Sequence, residues 1–375
     1  MRIGSKLPQE LVDMTIDCLG GHSASLKACS LVSRAWISRS RSCLFETCFI
    51  TPENVLAFRD LMRSPCCTFI RHIRSIQAER RHGHKNDGCF SEIAPNLRLL
   101  ENVRSLKLMI INRTNDDVFF LTGFMTAFPN VTHLVITGHL QGGEVSFSQP
   151  VPLFEMICLF PSLQSLHIPM ISGTLADPPA SAVPPPRLHI LNLGLHSPPP
   201  ILAWLRAFGH LPNIRKLVLA GVQQSDIPYI CEPIQELGSA LHHLEIKKNP
   251  LGTRWLSTAV QILELFTSVP FPHLKTLVIR DLSAGTLNSS NELTEAMMRI
   301  TAPALESLSF TFDLLFCRGK NWTMLDTFLS PAQFPRLRNV MLQPNSPGDY
   351  HATFQFLRTA LPLLTASGLL ALELP

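Results

Sequence analysis

Two short clusters in this sequence contain residues of types that can act as nucleophiles or bind metal ions. Gly21-His22-Ser23-Ala24-Ser25 is close to the Gly-x-Ser-x-Gly turn that presents a serine nucleophile in hydrolases. Its fifth residue is not glycine and no apolar strand precedes it, so we assign no nucleophile there. His82, His84 and Cys89 are ligand types for zinc, but this single cluster lacks a fourth ligand, and we predict no metal site.

The acidic pair Asp116-Asp117 has a structural explanation, because it lies where a predicted helix begins and carboxylates there oppose the helix dipole. The sequence contains no Walker phosphate loop, no Gly-x-Gly-x-x-Gly and no His-Glu-x-x-His. We therefore expect a protein that is not an enzyme and that has no cofactor.

The composition restricts the class of protein further. The 375 residues are 46% hydrophobic and 16% charged, with a net charge of +4, which is not the concentrated basic face of a nucleic-acid-binding protein. No apolar run reaches the roughly 18 residues of a membrane span, and the first residues lack the apolar core of a signal peptide. Ten cysteines without a Cys-x-x-Cys pair indicate reduced, buried thiols, hence a cytoplasmic or nuclear protein.

One pattern, apolar-x-x-apolar-x-apolar, recurs about every thirty residues after residue 70 and has the period and form of a leucine-rich repeat. The copies begin at Ile73, Val103, Val131, Leu163, Leu188, Ile214, Leu241, Leu274, Leu305, Leu337 and Leu369. Each copy predicts a short strand. A strand and its returning helix cannot cover their apolar faces alone, so the units must stack.

The segments between the copies predict helices on the outside of this solenoid. One begins with Ser197 as N-cap and Pro198 at the first helical position, with an apolar stripe of Leu202, Leu205 and Phe208. The others are predicted at 117–128, 153–160, 256–269, 292–300, 323–329 and 353–361. The predicted fold is therefore α/β, with parallel strands on the concave face of the array and helices outside.

Residues between the apolar strand positions are predicted to line the concave face, where a repeat protein binds its partner. This set is mixed and mildly basic. The candidate target-binding residues are Lys107, His133, His167, Lys216, Glu245, Lys247, Arg280 and Asn339.

The first fifty residues predict a different structure, a small block of three helices. The first helix carries a stripe of Val12, Ile16 and Leu19, and the second a face of Ala28, Val32 and Trp36. A third element spans about residues 41–47 and carries Leu44 and Phe45. Because a core of this size is thin, such a block usually needs a partner or a neighbouring domain for full burial.

This block resembles the F-box. The resemblance is carried by Leu7-Pro8-x-Glu10-Leu11, Leu19, Leu26, Leu31-Val32-Ser33-Arg34-x-Trp36 and Leu44-Phe45, in the family's order and spacing. Thr15 departs from it, since the family usually has isoleucine there. An F-box followed by irregular leucine-rich repeats is similar to the F-box proteins of large fungal families.

The resemblance implies the substrate-recognition subunit of an SCF-type ubiquitin ligase, with an F-box at 5–50, a connecting helix at 51–68 and about eleven repeats at 69–375. The F-box would bind a Skp-family adaptor, and through it the cullin and RING subunits, while the repeats bind a target protein. The implied adaptor-binding residues are Leu7, Pro8, Glu10, Leu11, Leu26, Val32, Trp36 and Leu44. The alternative is a non-catalytic repeat scaffold in which the F-box-like block is only an N-terminal cap.

Overall fold

The structure is a computed structural model and forms two compact units. It describes residues 7–65, 67–81, 89–111, 123–139, 153–170, 177–195, 197–222, 224–247, 270–282, 298, 300–312, 322–329, 333–344 and 350–372. The first unit comprises Met1–Leu163 and Gly173–Pro185, and the second comprises Gln164–Ser172 and Pro186–Pro375.

The described helices fall into an N-terminal group and a set that alternates with strands. They are α1 (Gln9–Asp17), α2 (Ser23–Val32), α3 (Arg34–Phe45), α4 (Val55–Arg63), α5 (Cys89–Leu97), α6 (Leu153–Cys158), α7 (Pro198–Ala207), α8 (Ile227–Leu237), α9 (Trp322–Phe328), α10 (Tyr350–Ala360) and α11 (Pro362–Ala366).

The strands are parallel, and each unit adds them in the order of the sequence. The first unit contains β1 (Thr47–Ile50), β2 (Ser75–Arg81), β3 (Ser105–Ile111) and β4 (His133–His139). The second contains β5 (Ser165–Met170), β6 (Ile190–Leu195), β7 (Lys216–Ala220), β8 (His243–Lys247), β9 (Thr276–Leu282), β10 (Ser307–Phe312), β11 (Asn339–Pro344) and β12 (Leu370–Leu372).

The eleven copies of the repeat phrase each form one of the strands β2–β12, which confirms the predicted leucine-rich-repeat fold. In the copy that contains β9, the three apolar positions Leu274, Leu277 and Ile279 are each 1% exposed. Equivalent positions stand opposite one another on neighbouring strands, as Leu244 does opposite Leu277. The apolar positions therefore form continuous buried rows from repeat to repeat, the arrangement that stabilises a stacked array.

Strand β1 is one that the sequence analysis did not predict. Its residues follow the same spacing, with Phe45, Cys48 and Ile50 at the three apolar positions, and Ile50 is fully buried. β1 pairs with β2 in parallel, with Cys48 opposite Ile76. This copy was not recognised from the sequence because the half-buried Cys48 replaces the central aliphatic residue, although cysteine can pack as a small apolar side chain.

Helix α7 shows how a repeat helix covers its strand. Pro198 is its first residue, as predicted, and Leu202 and Leu205 are fully buried. Phe208 was predicted to extend this stripe, which is wrong: the helix ends at Ala207 and the ring is exposed.

The prediction of Ser197 as the N-cap of α7 is correct in position and wrong in chemistry. Its hydroxyl makes no capping hydrogen bond to the helix. It donates instead to the carbonyl oxygens of Gly194, at 2.6 Å, and Ile168, at 3.3 Å. Because Ser197 is buried, these bonds satisfy its hydroxyl and tie the start of α7 to β5 and β6.

Helices of neighbouring repeats contact each other in the second unit. Asp326 of α9 is 2% exposed and accepts hydrogen bonds from the backbone N–H groups of Leu363 and Leu364, at 2.8 and 2.9 Å. This caps the start of α11 from a neighbouring repeat. Arg206 of α7 pairs with Glu232 and Glu236 of α8, an exposed network that contributes little on its own.

Helices are present at the predicted positions 153–160, 323–329 and 353–361, within a few residues at each end. The helices predicted at 117–128, 256–269 and 292–300 fall wholly or mostly outside the described residues.

The cysteines were predicted to be reduced and buried, and no membrane span was predicted. The eight cysteines within the described ranges are all free, but none is fully buried, so their predicted burial is wrong. Partial burial still raises the pKa of the Cys48 and Cys158 thiols to about 11. Among the described helices, none has the length and apolar character needed to cross a membrane.

We predict that Gly194→Ala destabilises the second unit. A Cβ atom at this position of β6 would lie 1.8 Å from the carbonyl oxygen of Pro169 on β5, so one strand has to move. We expect a loss of about 1–3 kcal/mol, measured by urea denaturation of the full chain. Gly123→Ala is the control, because nothing lies within 4 Å of its added carbon. Equal stability of the two variants would contradict the close approach.

Candidate functional site

The three N-terminal helices, α1 to α3, form a block around a small core of their own, here called the N-terminal block. Val12, Ile16 and Leu26 are its buried centre. The partly buried side chains packed against them are Leu19, Trp36, Cys43 and Leu44. The stripe predicted for the first helix is therefore confirmed, since Val12, Ile16 and Leu19 all face this core.

The predicted second face, Ala28, Val32 and Trp36, is wrong. Helix α2 ends at Val32, the extended residue Ser33 separates it from α3, and Trp36 belongs to α3. Ala28 and Val32 are exposed. The third helix begins at Arg34 rather than near residue 41, because the break after Val32 starts a new helix that fourfold spacing alone does not reveal.

The first turn of α1 explains the Leu-Pro-x-Glu-Leu sequence. Pro8 is the N-cap, and its carbonyl accepts hydrogen bonds from the N–H groups of Leu11 and Val12, at 3.1 and 3.3 Å. Glu10 lies in the first turn, where its charge opposes the helix dipole. Thr15, the departure from the F-box pattern, is exposed and donates its hydroxyl to the carbonyl of Leu11 at 2.8 Å, so it needs no apolar surroundings.

An ion pair joins the first helix of the block to the third. Arg39 donates to both carboxylate oxygens of Asp17, each at 2.5 Å, and the thiol of Cys43 donates to one of them at 3.4 Å. The hydrogen bond from Arg39 lowers the pKa of Asp17. The pair is solvent-exposed, so it fixes the relative position of α1 and α3 more than it stabilises the block.

The N-terminal block exposes an unusual density of large apolar side chains. They are Leu7 (62% exposed), Leu11 (48%), Met14 (63%), Leu31 (87%) and Val32 (62%). Among the described residues of the whole chain, thirteen large apolar side chains are exposed, and five of these lie between residues 7 and 32. We call these five residues the apolar surface of the block. Leu11 and Met14 are three residues apart on α1, and Leu31 and Val32 are adjacent on α2. Groups of exposed apolar side chains of this kind are typical of an interaction site.

The structure divides the eight predicted adaptor-binding residues into three groups by exposure. Those exposed to solvent are Leu7, Pro8, Glu10, Leu11 and Val32. Trp36 and Leu44 are half-buried against the core. Leu26 requires a correction as a contact residue, because at 2% exposure it lies in the core of the block with Val12 and Ile16.

Two exposed apolar residues, Met14 and Leu31, were missing from the predicted site. Met14 lies one turn after Leu11 on α1, and Leu31 follows the buried Leu26 by five residues on α2. The 3.6-residue period would have identified both, because it turns Leu31 away from the core and puts Met14 beside Leu11.

A second candidate site lies on the strands β7–β9 of the second unit, around one buried carboxylate. Glu245 is 7% exposed. Its Oε1 accepts a hydrogen bond from Nε of Arg280 at 2.5 Å and lies 3.2 Å from Nζ of Lys247. Nε2 of His243 lies 3.8 Å from Oε2, close enough for an electrostatic contact. His243, Glu245 and Lys247 lie on β8, and Arg280 lies on β9. The pairing of β8 with β9, which sets Lys247 opposite Arg280, brings these side chains together.

The charge state of Glu245 follows from these neighbours. Burial alone would raise the pKa of the carboxyl group, but His243, Arg280 and Lys247 outweigh it and lower the pKa to about 2. Glu245 is therefore ionised at neutral pH. A buried carboxylate is stable only when it is compensated in this way.

The other predicted face residues do not join this cluster. Lys107 and His133 belong to the first unit, on β3 and β4, and His133 shares a hydrogen bond of 2.9 Å with the hydroxyl of Thr132. In the second unit, His167 pairs in register with Asn192 on β6, and Asn339 lies on β11 opposite Ser307. Only Lys216, Glu245, Lys247 and Arg280 of the predicted set lie on the adjacent strands β7–β9.

The described residues do not form a nucleophile turn around Ser23 or a metal site that includes Cys89. Ser23 begins α2 after a turn in which Gly21 has a φ of +89°, and no strand precedes it between residues 7 and 23. His82 and His84 lie outside the described residues, while Cys89 begins α5. The described residues contain no group of three His, Cys, Asp or Glu side chains arranged to hold a metal ion.

Comparisons with known proteins identify no family. No family model matches the sequence, and no curated protein matches it. Among solved structures, the chain is similar to the leucine-rich repeat-containing protein LegL7 from Legionella pneumophila, with 16% identity and a TM-score of 0.46. That similarity covers 84% of this chain and 97% of the LegL7 chain.

The Glu245 cluster predicts a specific acid sensitivity. Because the pKa of Glu245 falls from 4.5 to about 2 on folding, its contribution to stability is complete above pH 4.5 and is lost as the pH falls through 2. We expect the protein to lose on the order of 3 kcal/mol over this interval through this one group.

The measurement is urea denaturation of the full chain at a series of pH values. Glu245→Gln should be less stable than the unmodified chain at neutral pH and should lack this part of the acid-induced loss. Glu236→Gln, which removes an exposed ion pair, should change stability by less than about 1 kcal/mol. Parallel pH profiles for the unmodified chain and Glu245→Gln would refute the assignment.

Proposed function

We propose that this protein is the substrate-recognition subunit of an SCF-type ubiquitin ligase, in which the N-terminal block binds a Skp-family adaptor and the repeats bind a target protein. The observation that carries the proposal is the apolar surface of the block. The Leu-Pro-x-Glu-Leu and Leu-Val-Ser-Arg-x-Trp sequences that resemble the F-box supply four of its five residues, Leu7, Leu11, Leu31 and Val32. Ubiquitin transfer would be performed by the partner subunits.

Burial of these side chains provides a physical driving force for adaptor binding. Covering a fully exposed leucine or valine side chain contributes about 1.5–3 kcal/mol, and a few such side chains commonly dominate an interface. The core beneath them consists mainly of Val12, Ile16 and Leu26, so the block is small for an independent structure. A bound adaptor would therefore also stabilise the block.

The second candidate function is a repeat scaffold in which the block serves only as a cap. One observation favours it, because α3 packs on the first repeat: α3 contacts the turn Ile70–His72, and Nη1 of Arg41 donates to the hydroxyl of Thr68 at 3.2 Å. The rings of Phe45 and Phe69 are 5.1 Å apart. A cap accounts for the buried side of α3 but gives no reason for apolar residues on the exposed sides of α1 and α2.

Adaptor binding by the full chain distinguishes the two functions. We predict that the purified protein binds a Skp-family adaptor and that Leu11→Glu weakens this binding at least about thirtyfold, since it puts a charge into an apolar contact. Biolayer interferometry with immobilised adaptor measures the affinity. The double variant Leu7→Ala with Pro8→Ala should have a similar effect on binding without unfolding the repeats.

Leu99→Glu is the matched control, because Leu99 belongs to the same unit and is 55% exposed, against 48% for Leu11. It should bind the adaptor as the unmodified chain does, and all variants should show the same thermal unfolding. Failure of the unmodified chain to bind any Skp-family adaptor would favour the cap. Equal affinities for Leu11→Glu and Leu99→Glu would place the contact elsewhere.

A further inference from the structure

Charged residues are concentrated on four adjacent strands of the second unit, β7 to β10. Counting each described phrase from its first apolar residue to the end of its strand, β7 to β10 carry five cations and three carboxylates. The cations are Arg215, Lys216, Lys247, Lys275 and Arg280, and the carboxylates are Glu245, Asp281 and Glu306. The phrases of β5 and β6 carry no Lys, Arg, Asp or Glu at all, and that of β11 carries only Arg338.

We propose that the face of β7–β9 binds an acidic segment of a target protein, through Lys216, Lys247 and Arg280. The proposal specifies the class of target that the substrate-recognition subunit would bind. Its role in the cell rests on the function proposed above. The carboxylates within the cluster do not cancel its charge. Glu245 is shared by Lys247 and Arg280, and Glu306 lies 3.7 Å from Lys275.

Glu245 gives this face a fixed geometry. Its Oε1 engages both Arg280 and Lys247, so two long side chains share one anchor beneath the surface. Both cations remain accessible, with 44% of the Arg280 side chain and 34% of the Lys247 side chain exposed. A ligand that meets cations already held in position loses less conformational entropy on binding than one that must order them. Glu245 is thus a positioning residue, and the cations make the contact.

The spacing of the cations suits an extended peptide. Lys216 stands opposite His243 on the next strand, and Lys247 stands opposite Arg280 on the one after. Lys216 is thus in register with Thr276 on β9, four residues before Arg280. With about 4.8 Å between neighbouring strands and about 3.3 Å per residue along a strand, the backbones of Lys216 and Arg280 are roughly 16 Å apart. Carboxylates about five residues apart in an extended chain span a similar distance, at about 3.3 Å for each residue.

Nucleic acid is the less suitable occupant. A nucleic-acid site typically neutralises about six to ten phosphates, whereas β7 to β10 carry a net excess of only two positive charges, five cations against three carboxylates, and the chain has a net charge of only +4. Outward positions beside Glu245 are occupied by Val218 and Val278, which stand opposite it on the two neighbouring strands. No aromatic side chain occupies these three central positions for a base to stack on.

The test uses the purified full chain and a fluorescein-labelled hexaglutamate peptide, followed by fluorescence anisotropy at low ionic strength. We expect saturable binding that weakens as salt is added, no binding of a hexalysine peptide, and a loss of at least about fivefold in affinity for Arg280→Ala and for Lys216→Ala. Lys216 is not part of the Glu245 ion pairs, so its variant remains informative if Arg280→Ala is unstable.

Arg338→Ala is the matched control, an exposed arginine of the same unit that precedes β11. It should change the affinity by less than twofold, and Leu11→Glu should leave peptide binding intact even where adaptor binding is lost. Equal binding of hexaglutamate and hexalysine would overturn the proposal, as would an equal loss in Arg338→Ala. Tighter binding of an oligothymidylate with six phosphates would show that the face is a nucleic-acid site instead.

Discussion

The fold depends on the mutual burial of repeats, because no single strand and helix can cover its own apolar surface. Each of the ten phrases that form β2–β11 contributes three side chains to the interior, and Leu217, Leu244 and Leu277 show how one row continues through successive strands with almost no exposure. Parallel pairing in register is the consequence: a shift by one residue would turn every buried side chain outward. Functional side chains are therefore confined to the positions between the apolar ones.

This confinement explains the Glu245 cluster. Glu245 occupies an outward position on β8, with Val218 and Val278 opposite it on the two neighbouring strands. Its side chain is buried, so its negative charge must be compensated by nearby cations. Lys247, two residues along the same strand, and Arg280, on the next strand, provide the compensation. Compensation of the buried carboxylate therefore holds two cations in fixed positions. An acidic ligand would bind to cations positioned in this way.

Unlike the repeats, the N-terminal block cannot bury all of its apolar side chains. Its core consists of a few residues around Ile16, and the apolar side chains of Leu11, Leu31 and Val32 remain outside it. A longer block could have buried them, but three short helices offer too little interior. The small interior limits the stability of the block, and it also leaves apolar side chains on the surface, where a partner can bind them.

The sequence by itself determined the repeat and its strands, because the spacing of Leu, Ile and Val is a direct record of which side chains are buried. It also indicated the helical block and most of its exposed residues. The break between α2 and α3, the strand formed around Cys48 and the interior position of Leu26 came only from tertiary packing, since each depends on which neighbour covers the residue. The grouping of Glu245 with Arg280 was equally beyond sequence reasoning: the two are 35 residues apart, and only strand pairing brings their side chains into contact.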